Sequence, residues 1–483
     1  MTTRATSAKV DRTEQVHATV GQLGDWVVGP GPLFRQLARA LAACIERGTI
    51  ERGARLPAER ALARAISVSR GTAVAAYDVL VADGFVERRQ GSGTFAIGAG
   101  ELGLPPGREG SALVARLVDR SSRVGDAVID LSISVLHDAT GLPAAAVTSG
   151  DLLRVEPDTG YSPWGLAGLR DAIAALVSTW GVPTDAAEVV ITTGAQQGIS
   201  AAASCWIRPG DVVVVEDPTY PGAIAAFGAA GARLVGVPVD RHGVRVDALR
   251  DALAEHPALV YLQPALHSPT GVVLAESRRR EIAALLAAAR VPLVEDAALA
   301  GLAWTDGPAP IAAHARELPI ALVGSLSKLF WGGLRVGFVR APEPVALRFA
   351  RVKATHDLGS SAVSQVLAER LLASPERDAF VARRNDELRA RYGALADALT
   401  QHLPSWSWTE PAGGLSIWAR LPAPVAEPLA QAALRHGVAV ATAGPLSASG
   451  GHDDRLRLSF SGPPAELREG VLRLARTWSS AVA

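Results

Sequence analysis

Apolar residues recur every fourth position at Leu33, Leu37, Leu41 and Ile45, between Pro32 and a stop at Gly48, which predicts an amphipathic helix. A second helix is expected over 58–65, after Leu56-Pro57. Ser69 is placed to cap a third, with Val74, Tyr77 and Val81 on its buried face and Asp83-Gly84 as its end. Alternation at 85–87, a basic Gly-rich tip and then Thr94-Phe95-Ala96 predict a β-hairpin. The pattern changes near 128. Short apolar runs at 189–191, 212–215, 234–237, 259–262, 293–294, 320–323 and 336–339 alternate with helical stretches. Runs that are apolar throughout suit strands buried on both faces, so a large, mostly parallel sheet covered by helices is expected. Beyond Pro342 the pattern predicts two long helices reaching about Leu403, then strands at 415–421 and 456–460, the makings of a smaller C-terminal α+β domain.

Length and composition fit this reading. A chain of 483 residues with 48% hydrophobic and 20% charged residues is long enough for several domains. The polar or Gly/Pro-rich stretch 1–31 reads as a flexible leader, 32–98 as the first domain, 99–127 as a linker and 128–483 as the second. Residues 98–103 satisfy G-x-G-x-x-G, but Pro105-Pro106 forbids the helix that a dinucleotide phosphate would need, so the segment is read as linker. If flexible, the 29 residues of 99–127 span about 30 Å on average. No run approaches the roughly 18 apolar residues of a membrane helix, so no membrane partner is expected and the location is read as cytoplasmic. Cys44 and Cys205 lie far apart in apolar patterns and read as buried thiols; no histidine spacing suggests a metal.

Net charge is zero, yet residues 32–98 carry 10 arginines against 6 acids, an excess of four positive charges. Three short helices and a basic hairpin make a winged helix-turn-helix. Its segments Arg55-Leu56-Pro57-Ala58-Glu59-Arg60, Val68-Ser69-Arg70-Gly71-Thr72 and Gly91-Ser92-Gly93-Thr94 resemble the GntR family of bacterial DNA-binding domains. By that resemblance the partner is double-stranded operator DNA. Ser69, Arg70 and Thr72 open the recognition helix, with Arg70 the expected base reader, while Arg60, Thr72, Arg89 and Gly91 are expected on phosphate or in the minor groove. Gly71 and Val74 stand where relatives often have Thr or Arg.

The chain has only three lysines, Lys9, Lys328 and Lys353, among 48 basic residues. A lysine retained at 328 points to chemistry that needs a primary amine, and Arg335, seven residues on, offers the planar fork suited to phosphate. The run Ser325-Leu326-Ser327-Lys328 followed by Gly333-Leu334-Arg335-Val336-Gly337 resembles the fold-type-I aminotransferase superfamily. That resemblance implies pyridoxal 5′-phosphate (PLP) held as an internal aldimine on Lys328, with Ser325, Ser327 and Arg335 on its phosphate. It further places Ala195 and Gln196 in the phosphate loop, Tyr220 stacked on the pyridine ring, and Asp296 on the ring nitrogen, where pairing with a cation should lower its pKa. Tyr161 resembles the tyrosine that reaches the phosphate from a partner subunit. Two donors to the cofactor's 3′-oxygen depart from the pattern: Ala298 replaces a tyrosine and Ser268 an asparagine, with the Ser268 hydroxyl or His267 as candidate substitutes. Arg457 aligns with the clamp for a substrate α-carboxylate, and Arg455 two residues before it competes for that role.

A GntR-type head on an aminotransferase-like body resembles the MocR-type subfamily of transcription regulators. The fold expected is therefore α/β, an N-terminal winged helix-turn-helix linked to a fold-type-I body with a large sheet domain and a small C-terminal domain. The function implied is a homodimeric, PLP-dependent regulator that senses a small amine or amino acid, or PLP itself. The alternatives are an active aminotransferase with an accessory DNA-binding domain, and a DNA-binding protein whose body is a cofactor-free scaffold.

Overall fold

A computed structural model describes residues 16, 19–24, 26–27, 32–51, 53–89, 92–97, 128–136, 139–154, 160–305 and 307–482. The head is built from α1 (Leu33–Glu46), α2 (Glu59–Ala65) and α3 (Arg70–Ala82), followed by β1 (Val86–Arg89) and β2 (Gly93–Ala96). Leu37, Leu41, Leu62, Ile66, Tyr77 and Leu80 form its core, and the Tyr77 hydroxyl donates to Pro57 O at 2.7 Å, satisfying the polar end of a buried ring. The hairpin pairs antiparallel with Arg89 opposite Gly93, and an isolated bridge between Arg55 and Phe95 widens the wing.

The leader expected to be flexible is partly built into this head. Residues 19–23 are helical, and Val20, Leu23 and Trp26 are buried in the same core as α1. Three apolar side chains spread over seven residues supply the burial that the polar average of the segment conceals. The linker expected at 99–127 lies outside the described residues.

The body's main sheet has eight strands in the order β4 (Val189–Thr192), β11 (Gly337–Arg340), β10 (Ile320–Ser325), β9 (Leu293–Asp296), β8 (Leu259–Leu262), β5 (Val212–Asp217), β6 (Arg233–Asp240) and β7 (Gly243–Val244). All seven predicted strands are present, and only β11 and the short β7 run against the others. Strands β4, β8 and β9 are buried at every position, as continuous apolar runs require.

Between Pro342 and Leu403 there are three helices, Glu343–Asp357, Ala362–Ala373 and Arg377–His402, where two were expected. The first stops because Leu358 is left-handed and Gly359 follows at φ 142°, where an added Cβ would meet the backbone of Ser162 at 2.7 Å. The small domain packs the last of these helices, with Ala426–Arg435 and Pro464–Val482, on the sheet β12 (Ser416–Arg420), β15 (Arg455–Ser459) and β14 (Ala441–Thr442). A second two-stranded sheet joins β13 (Val438–Ala439) to β3 (Ile129–Asp130), so the chain enters the body through the small domain.

The head rests on that domain. Arg435 donates to Ile66 O at 2.8 Å and to Ser67 O at 2.6 Å, in the turn that joins α2 to α3. The Ser67 hydroxyl donates to Pro428 O at 3.2 Å, and Trp26 Nε1 donates to Gln431 Oε1 at 3.1 Å. Pro428, Gln431 and Arg435 all lie on the single helix Ala426–Arg435.

Candidate functional site

Two surfaces carry the candidate chemistry. On the head, Ser69 has extended backbone and caps α3: its hydroxyl accepts from Thr72 N at 3.0 Å and lies 2.9 Å from Thr72 Oγ1. The cap occupies part of both hydroxyls and leaves exposed Arg70 as the long basic side chain at the helix N-terminus. Arg60 is exposed on α2. Arg89 in the wing stacks 4.5 Å over Phe95 and pairs with Glu87, so its charge is partly offset. Gly91, expected at the wing tip, lies outside the described residues.

On the body, loops at the C-terminal ends of β4, β5, β8, β9 and β10 converge on a cavity of about 310 Å³, the usual place for a ligand in an open α/β sheet. Lys328 follows β10 on the short helix Leu326–Leu329 and donates from Nζ to Ser134 O at 2.9 Å. Burial, reinforced by the positive charges of Arg457 and Arg335, pulls its ammonium down to about 8. A share of the amine is therefore neutral near pH 7, as a nucleophile requires.

One end of the cavity suits phosphate. Gly194, at φ 115°, precedes the helix Ala195–Trp206, and a Cβ there would lie 3.4 Å from the Arg335 guanidinium. The N–H groups of Ala195 and Gln196 open that helix, where the dipole favours an anion. Arg335 donates to Thr193 O at 2.7 Å, while Thr193 N donates to Gln197 Oε1 at 2.9 Å. Gln197 is held in turn by Asp357 at 2.7 Å, and Asp357 by buried Lys353 at 2.6 Å. Ser325 and Ser327 line the same end, and Ser327 Oγ is buried without a protein partner. An orphan hydroxyl, a guanidinium and a helix N-terminus around a glycine fit a phosphate monoester.

The other end suits an aromatic ring. Tyr220 lines it, and burial pushes its phenol up to about 12, so it stays protonated. Asp296 is 7% exposed at the end of β9 and accepts from the Tyr261 hydroxyl at 2.6 Å and from Ala298 N at 2.8 Å. In the protein alone burial outweighs these bonds and raises its pKa; the fall expected from pairing with a cation concerns the cofactor-bound site. Among the described residues none supplies that cation, which would be the ring nitrogen's proton. Ser268 and His267 both line the cavity, with the His267 ring bound through Nδ1 to Thr270 Oγ1 at 2.8 Å. Burial drops His267 to about 3 and lifts Glu216, 3.6 Å away, to about 8, so both are neutral near pH 7 and the contact is no ion pair.

The two arginines of β15 separate. Arg457 is 3% exposed, lines the cavity and donates to Ser132 O; Arg455 lies outside it, 3.5 Å from Asp454. The clamp expectation thus fits Arg457. Tyr161 is 67% exposed and is not part of this cavity. Three contributors were missed from sequence. Tyr261 holds Asp296. Gln263 donates to Thr219 Oγ1 at 3.1 Å and to Ser268 O at 3.2 Å, and Ser134 supplies the carbonyl on Lys328. A tyrosine inside the apolar run 259–262 was the one available signal. Among the described residues there is no metal-binding cluster, and no single helix is long and apolar enough to cross a membrane.

Comparison with known proteins agrees with this geometry. Residues 126–474 match the family described as aminotransferase class I and II, and residues 33–96 match the bacterial regulatory proteins of the gntR family. The chain is 28% identical to the uncharacterized HTH-type transcriptional regulator YdfD of Bacillus subtilis, covering 92% of this chain and 95% of that one. It is 28% identical to the probable rhizopine catabolism regulatory protein MocR of Rhizobium meliloti, over 66% and 68% of the two chains. Among solved structures, LysN, the α-aminoadipate aminotransferase of Thermus thermophilus complexed with N-(5′-phosphopyridoxyl)-L-leucine, superposes with a TM-score of 0.68 at 28% identity, covering 77% of this chain and 95% of that one.

Proposed function

The chain belongs to the class I and II aminotransferase family and carries a GntR-type head, the organisation of MocR-type regulators, and from that premise we propose a PLP-holding regulator that reads a small amine or amino acid. When bound, PLP supplies an aldehyde that condenses with amines and a pyridine ring that withdraws electrons. Lys328 would carry it, Gly194, Ala195, Gln196, Ser325, Ser327 and Arg335 would hold its phosphate, Tyr220 would cover the ring, and Asp296 would face the ring nitrogen. Tyr161, exposed on its loop, is assigned to the site of a second copy in a homodimer.

The observation that carries the sensing reading is the head's seat on the small domain. Arg457 lies on β15, and the helix Ala426–Arg435 of the same domain holds the turn before the recognition helix. A ligand carboxylate drawn to Arg457 acts on the domain that carries the head. A coupling of about 1–3 kcal/mol changes operator affinity roughly 5- to 150-fold.

The enzyme reading keeps one specific support, the presence of Lys328, Asp296 and Arg457 in one cavity. Against it stand Ala298 and Ser268, which leave the 3′-oxygen short of two donors that aminotransferases use to control the protonation of the bound cofactor. Operator titrations with and without amino acids, beside a transamination assay on the same preparation, decide the matter. Fast turnover with no ligand effect on operator affinity would replace the regulator reading with the enzyme reading.

A further inference from the structure

We infer that the ligand of this cavity is an amino acid with an uncharged, apolar side chain; the inference rests on the cofactor-binding reading above and deepens it. The argument is an inventory of charge. Three cationic side chains line the cavity, Lys328, Arg335 and Arg457. Each has a partner assigned by position: Lys328 the aldehyde or the ligand amine, Arg335 the phosphate, and Arg457 the α-carboxylate. His267 also lines the wall, but its ring is buried, bonded to Thr270 and neutral. Among the described lining residues no cation remains for a side-chain carboxylate. The one lining carboxylate, Asp296, is bound by Tyr261 beneath the ring position, so none remains for a side-chain ammonium.

Much of the remaining wall is hydrocarbon. Ile133, Leu266 and Leu415 are 4%, 2% and 3% exposed, and half-buried Val135, Leu136 and Leu299 complete it. Among its polar members Gln263 is bonded to Thr219 and Ser268 O, and Ser416 to Pro269 O, while Gln196 Oε1 has no protein partner but carries no charge. The Ser134 hydroxyl has no protein partner, but it offers one hydrogen bond and no charge. A charged ligand side chain here would be desolvated without compensation, whereas an aliphatic or aromatic one gains by burial. Size acts in the same direction. Ala298, standing where a tyrosine is expected, widens the space beside Leu299, yet 310 Å³ is near the lower limit for ligand pockets and must also admit the cofactor. A single amino acid fits this description better than a peptide or a polyamine.

The test uses the full-length protein loaded with PLP and titrated with L-leucine, L-phenylalanine, L-glutamate and L-lysine while the visible band of the cofactor is followed. Leucine or phenylalanine should shift the band at a concentration at least about tenfold lower than glutamate or lysine. Leu299→Arg, which adds a cation to the half-buried part of the wall, should bring glutamate level with leucine or below it, and its unliganded band reports that it has folded and loaded. The inference is overturned if glutamate or lysine acts at the same or lower concentration than both apolar amino acids, or if none shifts the band. Operator binding measured in the same samples separates the two readings. A selective band shift with unchanged operator affinity sinks the regulator and leaves the specificity standing. An operator response to charged ligands does the reverse.

Discussion

Head and body use arginine in opposite ways. Arg60 and Arg70 are exposed on short helices whose packing does not involve them, so their positions are set by the backbone and their charge faces water. Arg457 is 3% exposed and bonded to Ser132 O in the middle of a sheet. An exposed cation meets a polyanion through many weak, salt-screened contacts, whereas a buried one acts on a single anion in a medium that magnifies the attraction. The head should therefore tolerate losses gradually and the body abruptly.

The sharpest way to break that contrast is at Lys328. Lys328→Arg keeps the charge but cannot condense with an aldehyde, so the visible band of the PLP-loaded protein should vanish completely, and borohydride should fix no cofactor to the chain, with circular dichroism unchanged. A variant that stays yellow after dialysis would remove Lys328 from its role. Next in size is Arg457→Ala, expected to weaken amino-acid binding by about 2–5 kcal/mol, as for a buried charged partner. Because Arg457 adds to the burial that depresses Lys328, the same variant should move the pH midpoint for reloading stripped protein with PLP upward. In the wild type, reloading should accelerate as pH rises towards about 8, where the ammonium gives up its proton, and level off above it.

On the head, Arg70→Ala should cost about 1–3 kcal/mol and relax sequence preference, as for a base-reading guanidinium. Equal losses on all sequences would assign Arg70 to the backbone. The smallest effect is expected from Arg89→Ala, already offset by Glu87: a weakening uniform across sequences and a salt slope reduced by about one unit, measured by titration at several salt concentrations. If Arg89→Ala proves more costly than Arg457→Ala, the contrast between exposed and buried cations fails.

Local pattern made much of this legible. Seven apolar runs became seven strands, Ser69 became a cap, and the Lys328 turn follows directly on β10. What escaped depended on distant partners. Trp26 looked like leader because its companions, Leu37 and Leu41 in the core and Gln431 on the small domain, are invisible to a local window. Arg455 and Arg457 share one strand face and differ only in depth, which the chain's path through Ser132 decides. The tyrosine that holds Asp296 lies 35 residues earlier, on a neighbouring strand, where no local window pairs the two.

The scarcity of lysine gives the cavity a built-in mass label. A protease that cuts only after lysine makes three cuts, at Lys9, Lys328 and Lys353, and so releases four fragments. Lys353, 1% exposed and paired with Asp357 at 2.6 Å, is shielded from amine reagents while the protein is folded. Any adduct fixed on Lys328 before digestion then fuses the pieces 10–328 and 329–353 into one heavier fragment, so the ratio of fused to separate ions reads the occupancy of the site directly.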